Sequence, residues 1–182
     1  MVIIDLWRFN SAKKKDLDSI YMKTRYALLP FSYEDKLAEL RNWDLWGPLI
    51  FCLLMTLFIA LGSSQTQIDD IFGVIYMVLF GGSIVVGVNC YLVGGDGSIF
   101  MMISILGYCL APFVIAALLN WLLRRFIFFL GIALISAFCW FWAVKSASVF
   151  IAASCRKTRR WLALYPIMLY YMFFAVFIAL NG

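Results

Sequence analysis

The stretch R-N-W-D-L-W-G-P-L-I, from Arg41 to Ile50, marks the point where the character of the chain changes. Polar residues of mixed charge precede it, and an apolar segment follows at once. Indole rings prefer the headgroup layer of a bilayer. A proline in the first helical turn costs little, because the N–H that it lacks would have no partner there. The Trp-Gly-Pro triplet therefore predicts an interfacial anchor, a bend and the start of a helix at Trp46.

The composition of the whole chain indicates a membrane protein. Of its 182 residues, 65% are hydrophobic and 14% are charged, whereas soluble domains have about 45–50% apolar and about 25% charged residues. The mean hydropathy is +0.94. Water cannot accommodate so much apolar surface, so most of the chain is expected to lie in a bilayer.

Five apolar runs of 17 to 23 residues follow Leu45. Each is long enough to cross a hydrocarbon core of about 30 Å as a helix, and none has the alternation of a barrel strand. We predict an all-α membrane protein, a bundle of five transmembrane helices in residues 46–182 behind a short cytoplasmic amphipathic segment, residues 1–45. The predicted spans are Trp46–Gly62, Ile71–Val93, Ile99–Leu119, Phe126–Val144 and Leu162–Leu180.

The N-terminal segment contains a signal for one short helix. Ser32 and Asp35 have the spacing of a capping box, with the serine as the N-cap. Apolar residues follow at intervals of about three up to Trp43, so this helix is expected to lie in the interface and lead into the first span.

The basic residues predict the orientation. Thirteen Lys and Arg residues lie on the side that carries the N-terminus, Lys145 among them in the loop 145–161, against Arg124 and Arg125 on the other side. Cytoplasmic loops are enriched in Lys and Arg, so a cytoplasmic N-terminus and a lumenal C-terminus are expected. Because these residues flank spans, the net charge of +5 is no signal for nucleic-acid binding.

Small residues and turns constrain the packing. The loop Gly94–Ser98 predicts a tight turn with positive φ, although its glycines also permit an anion-binding nest. Pairs of small residues spaced by four suit close helix contacts, either within the chain or between chains: Ser83 and Gly87, Gly107 and Ala111, Ala133 and Ala137. Pro112 removes a backbone donor deep in the third span, which predicts a kink near Gly107–Pro112.

The sequence offers little for catalysis. There is no histidine among the 182 residues, and the cores of the predicted spans contain no Asp, Glu, Lys or Arg. The five cysteines form no C-x-x-C pair, and Asn89 suits a hydrogen bond between helices. An enzyme, a metal site, a cofactor and an ion pathway are therefore not expected.

Three stretches resemble the Yip family of five-span membrane proteins, which interact with Rab-type GTPases. They are W-D-L-W-G-P-L (Trp43–Leu49), L-G-Y-C-L-A-P (Leu106–Pro112) and R-R-W-L-A-L-Y-P (Arg159–Pro166), in the family's order and spacing. The residues that match the family motifs are Asp44, Trp46, Gly47 and Pro48 in the first, Gly107, Tyr108 and Pro112 in the second, and Tyr165 and Pro166 in the third.

This resemblance implies a location and partners. Yip proteins reside in Golgi and endoplasmic reticulum membranes, bind prenylated Rab-type small GTPases and associate with sibling Yip proteins in vesicle transport. The resemblance therefore implies a trafficking scaffold, whose motif residues contact these partners. Two alternatives are a protein that handles a lipid or small solute and a protein that shapes the bilayer of the early secretory pathway.

Overall fold

The computed structural model describes residues 21, 22, 24, 25, 45–62, 68–95, 98–123, 129–154 and 160–181, with the backbone alone at 68, 129, 130 and 151–154. Seven α-helices follow from residue 45: α1 Trp46–Ala60, α2 Ile68–Met77, α3 Ser83–Leu92, α4 Ile99–Tyr108, α5 Ala111–Leu123, α6 Phe129–Ser154 and α7 Arg160–Asn181. A π-helical turn, Val78–Gly82, joins α2 to α3.

These helices form five apolar membrane spans, two of which consist of two consecutive helices. Four are long and apolar enough to cross a membrane: Asp69–Leu92, Ile99–Leu123, Gly131–Phe150 and Arg160–Asn181. The fifth, α1, is a shorter apolar helix of 15 residues. We call α1 span one, α2 with α3 span two, α4 with α5 span three, α6 span four and α7 span five. The predicted all-α bundle of five membrane helices is confirmed.

Span four corrects two of the predictions. Its helix continues ten residues past Val144 to Ser154, because apolar and small residues from Ser146 to Ala153 support it after the single lysine. Lys145 was expected in the following loop. That expectation was wrong, since Lys145 lies inside the apolar stretch Gly131–Phe150.

Span three is the centre of the bundle. Within its apolar stretch 78% of the residues are buried, against 33–39% in the other three long spans. It contacts all four other spans, while the most extensive contact between two single helices joins α6 and α7. Because a central helix needs side chains that fit on every side, span three carries much of the core, including Leu106, Leu110 and Phe113.

The turn after span two has the predicted positive φ, and one of the small-residue pairs packs within the chain. Gly94 adopts φ 89°, and its N–H donates to the Tyr91 carbonyl while the Gly95 N–H donates to the Cys90 carbonyl, both at 3.0 Å. This is a Schellman ending, which satisfies the last carbonyls of the helix. Gly87 packs on Ile99 at the start of span three, so that pair serves contacts within the chain.

The predicted helix at Ser32–Trp43, Asp44, the pair Arg124 and Arg125, and the basic residues Arg156–Arg159 lie outside the described residues.

Candidate functional site

The first two motifs meet each other in the bundle. Helix α1 begins at Trp46, and its next two residues, Gly47 and Pro48, are buried. The space where a Cβ of Gly47 would stand is filled by the ring of Tyr108 in span three. Where a Cβ of Gly107 would stand, the ring of Pro48 lies instead. Each motif thus supplies one glycine and one ring.

Because each ring packs directly on a glycine of the other helix, the backbones of spans one and three come very close. Tyr108 is 1% exposed, and the Phe51 ring, one turn further along span one, meets it edge-on with the ring centroids 5.9 Å apart. Aromatic pairs prefer such edge-to-face geometry. We call the contact of Gly47, Pro48, Gly107 and Tyr108 the motif junction. Its glycines permit the close backbone approach that membrane helices use for association.

Span three breaks directly after the motif junction, as Pro112 predicted. Helix α4 ends at Tyr108 and α5 begins at Ala111. The Leu110 N–H donates to the Gly107 carbonyl at 3.1 Å, three residues back instead of four. The Leu106 carbonyl, which an unbroken helix would pair with that N–H, accepts from the Tyr171 hydroxyl of span five at 3.0 Å.

Further buried polar contacts surround the break. The Cys109 thiol donates to Ser146 Oγ of span four at 3.6 Å, and the Ser83 hydroxyl donates to Tyr170 Oη at 3.3 Å. The Tyr170 ring lies over Gly82, in the π-helical turn of span two, with its Cδ2 at 2.7 Å from the position of a Cβ. Hydrogen bonds and the motif junction therefore join all five spans at the depth of this break.

The third motif is not part of this junction. Tyr165 is 66% exposed, and Pro166 is half-buried inside helix α7. Trp46 is also exposed, at 74%, as is Trp161 at 81%. The motif residues therefore divide into a buried group that packs the helices and exposed aromatic residues in the first turns of spans one and five. We call the end of the bundle on that side the Trp46 end.

An open groove lies between spans four and five. It has a volume of about 280 Å³, and Trp140 at its wall donates its indole N–H to the Met168 carbonyl at 3.1 Å. Its lining is mostly small residues: Ala133, Ser136, Ala137, Trp140, Met172, Ala175, Val176 and Ala179. Ser136 is 2% exposed, and its hydroxyl has no hydrogen-bond partner among the described residues.

A second, much smaller cavity lies at the opposite end of the bundle. Its volume is about 10 Å³, and its wall includes Gly62, Asn120 and Asn181. Asn120 is 4% exposed, and both polar atoms of its amide lack a partner among the described residues. A cavity of this size holds about one water molecule.

Sequence reasoning missed several of these residues. Tyr171 was not singled out, and nothing in the pattern Leu169-Tyr170-Tyr171 predicts that its hydroxyl reaches a broken helix in another span. Ser136 was not predicted, because the stripe of Ala133 and Ala137 indicates only close packing of helices. Among the described residues no cluster of His, Cys, Asp or Glu could hold a metal ion.

The architecture defines a polytopic α-helical membrane protein with a tightly packed motif junction and an open groove on its outer surface. Residues 30–180 match the Yip1 domain, and the chain belongs to this family.

Individual relatives agree with that assignment. The chain is 34% identical to "Protein YIPF6 homolog" of Dictyostelium discoideum over 88% of this chain and 86% of that protein. It is 29% identical to "Protein YIPF6" of Homo sapiens, over 86% and 68%, and 32% identical to "Protein YIP4b" of Arabidopsis thaliana, over 87% and 56%. No solved structure matches the chain.

Proposed function

We propose that this protein is a membrane scaffold for vesicle transport between the endoplasmic reticulum and the Golgi apparatus. It binds Rab-type small GTPases and sibling Yip proteins, and it catalyses no reaction. Its N-terminus faces the cytoplasm and its C-terminus the lumen. The proposal rests on membership of the Yip family, and the division of the motif residues into buried and exposed groups sharpens it.

The groove between spans four and five is the surface that suits a sibling protein best. Helices associate in lipid where small residues let their backbones approach and where Ser, Thr or Asn side chains pair across the contact. Ala133, Ala137, Ala175 and Ala179 supply the small residues, and Ser136 supplies a hydroxyl that lacks a partner. The hydroxyl is buried beneath the groove, so the small residues, and not this hydroxyl, carry the preference for a helix.

The GTPase is expected at the Trp46 end. Aromatic residues dominate the binding energy of many interfaces. Trp161 and Tyr165 are exposed in the first two turns of span five, and Trp46 is exposed at the start of span one. This end also carries the N-terminal segment, which the proposed topology places in the cytoplasm. The buried members of the motifs, such as Gly47 and Pro48, hold the helices together and contact no partner directly.

The alternative of lipid or solute handling has less support. A transported molecule needs a path through the bundle, and the interior cavity beside Asn120 has a volume of about 10 Å³. Such a cavity accommodates about one water molecule.

One experiment tests both partner sites. The full-length protein, with a tag at its C-terminus, is crosslinked in native membranes, purified and analysed by mass spectrometry. Ala137→Phe fills the groove, and Val85→Phe adds similar bulk on the 64% exposed outer face of span two. Trp46→Ala removes the exposed indole, and Trp121→Ala removes another partly exposed indole at the far end of the bundle.

Each variant has a distinct expected result. Ala137→Phe loses the sibling Yip proteins and keeps the GTPase, whereas Trp46→Ala recovers roughly tenfold less GTPase and keeps the siblings. The two control variants recover both. If wild type captures neither partner, the scaffold function is wrong; if Ala137→Phe keeps its siblings, the groove is not their site.

A further inference from the structure

Lys145 is a charged residue on a lipid-facing surface. It follows Leu134, Phe138 and Phe141 at spacings of four, three and four, which places these residues on one face of helix α6. The three hydrophobic residues are 60–65% exposed, and Lys145 is exposed as well. Since such a face meets lipid in a membrane helix, the lysine ends an apolar stripe instead of facing the interior of the bundle.

The depth of Lys145 follows from its neighbour. Ser146 accepts a hydrogen bond from Cys109 at the break in span three. Helix α6 continues eight residues beyond Ser146 to Ser154, a distance of about 12 Å at 1.5 Å per residue. On span three, Cys109 lies ten residues after Ile99, or about 15 Å along the helix. Lys145 therefore lies between about two and three helical turns below the Trp46 end of spans three and four.

Trp46 reaches the same depth on another flank of span three. The motif junction places Gly47 against Tyr108, the residue before Cys109. Helix α1 has 15 residues and is about 22 Å long, against about 30 Å for a hydrocarbon core. The exposed indole of Trp46, which prefers a headgroup layer, is thus level with Lys145 and not with the ends of the longer spans.

The protein offers Lys145 no counter-charge among the described residues. The carboxylates described there are Asp69 and Asp70 in the first turn of α2, at the end of the bundle away from Trp46. A charged side chain is costly in hydrocarbon, and local thinning of the bilayer is one way in which that cost is relieved. A short helix is accommodated by the same deformation.

From these two flanks we propose that phospholipid headgroups descend beside spans one and four to the depth of the break in span three. There a lipid phosphate pairs with the ammonium group of Lys145, and the indole of Trp46 lies in the same headgroup layer. The leaflet at the Trp46 end is therefore locally thinned on these flanks. This property goes beyond the proposed scaffold function, because it requires no protein partner.

Cysteine accessibility in vesicles of pure phosphatidylcholine tests this proposal. The background variant is Cys155→Ser, in which Cys52, Cys90, Cys109 and Cys139 remain and are buried. A membrane-impermeant maleimide then reports whether an introduced thiol reaches water. Trp46→Cys and Val149→Cys probe the two thinned flanks.

The two control positions are on lipid-facing surfaces, where Phe141 is 62% and Val85 is 64% exposed. Phe141→Cys lies one turn deeper than Lys145 on the same face. Val85→Cys, on span two, lies near the depth of the break. Two residues before it, Ser83 donates to Tyr170, and the next residue of span five, Tyr171, donates to the Leu106 carbonyl at the break. We expect the thiols at Trp46 and Val149 to react at least roughly tenfold faster than those at both control positions.

The role of the lysine is tested separately. Lys145→Leu is expected to slow labelling of Val149→Cys roughly tenfold, whereas Lys145→Arg preserves it, since arginine keeps the charge. Because the leucine removes a charge from a lipid-facing position, this variant should fold, and size-exclusion chromatography checks that it does. The proposal is overturned if the thiols at Trp46 and Val149 are as unreactive as the controls. It is also overturned if they react only in native membranes, where a protein partner can supply the counter-charge.

Discussion

Spans one and three pack together differently from spans four and five. Spans one and three run in the same direction and meet at the motif junction, where each glycine is covered by a ring of the other helix. Spans four and five run in opposite directions, and their helices α6 and α7 pack extensively against each other. Yet they leave a groove of about 280 Å³ on their outer surface.

The difference indicates what the motifs are for. Gly47, Pro48, Gly107 and Tyr108 have no freedom to change size, because ring and backbone already touch. Residues such as Ala137 stand at an open surface and have room beside them. The most recognisable residues of this chain therefore specify its fold, and the open groove lies where the motifs are absent.

The largest expected effect belongs to Gly107→Ala. The added methyl group would overlap the Pro48 ring, and the Pro48 Cα lies 3.0 Å from its position, so relief requires a shift of backbone. Overpacking of this kind costs about 1–3 kcal/mol, and the better helix propensity of alanine returns less than about 1 kcal/mol of it. Unfolding of the purified protein in mixed micelles measures the loss of stability.

Gly73→Ala is the matched control for this prediction. Gly73 is in helix α2, and nothing lies within 4 Å of the position of its Cβ. Its alanine variant is expected to be as stable as wild type or slightly more stable. Equal stability of the Gly107 and Gly73 variants would show that the motif junction is looser than described.

A smaller loss is expected for Tyr171→Phe. The hydroxyl satisfies the Leu106 carbonyl, which the break in span three separates from its usual donor. A buried hydrogen bond contributes about 1 kcal/mol, and those between membrane helices average about 0.6 kcal/mol. The same unfolding measurement applies, with Tyr165→Phe as the control because that hydroxyl is on an exposed residue. An unchanged stability of the Tyr171 variant would mean that the carbonyl finds another donor.

The sequence was sufficient to predict the fold class and the break in span three. The lengths of the apolar runs alone predict five membrane helices, and the missing N–H of Pro112 predicts the break. Neither feature depends on which helices touch. The end of span four was predicted too early because a lysine normally marks the end of an apolar run. Lys145 is on an exposed face, so the helix continues beyond it without a steric clash.

The candidate site was predicted only in part. The motif residues were identified, but their separation into a buried junction and exposed aromatics is a matter of contacts between distant parts of the chain. Gly47 and Tyr108 are 61 residues apart, and no local pattern links them. The orphan hydroxyl of Ser136 is likewise visible only when the packing of span four on span five is known.

A third prediction concerns the wall of the groove between spans four and five. Trp140 donates its indole N–H to the Met168 carbonyl in a partly buried position. Trp140→Phe keeps most of the ring and loses the hydrogen bond, so a loss of about 0.5 kcal/mol is expected. Trp121→Phe, at a 43% exposed position of span three, is the comparison in the unfolding measurement. A loss above that of Tyr171→Phe would mean that the groove wall, and not the break, is the more sensitive region.

The smallest expected effect on stability, and the sharpest contrast with Gly107→Ala, comes from Ala137→Phe. This change adds far more volume than one methyl group, but it adds it to an exposed position at the groove. Substitutions at such positions usually change stability by less than about 0.5 kcal/mol. The isolated protein should therefore unfold like wild type, even though the same variant is expected to lose its sibling proteins in the pull-down. A marked loss of stability would instead show that spans four and five close the groove in the isolated chain, leaving no room for a partner helix.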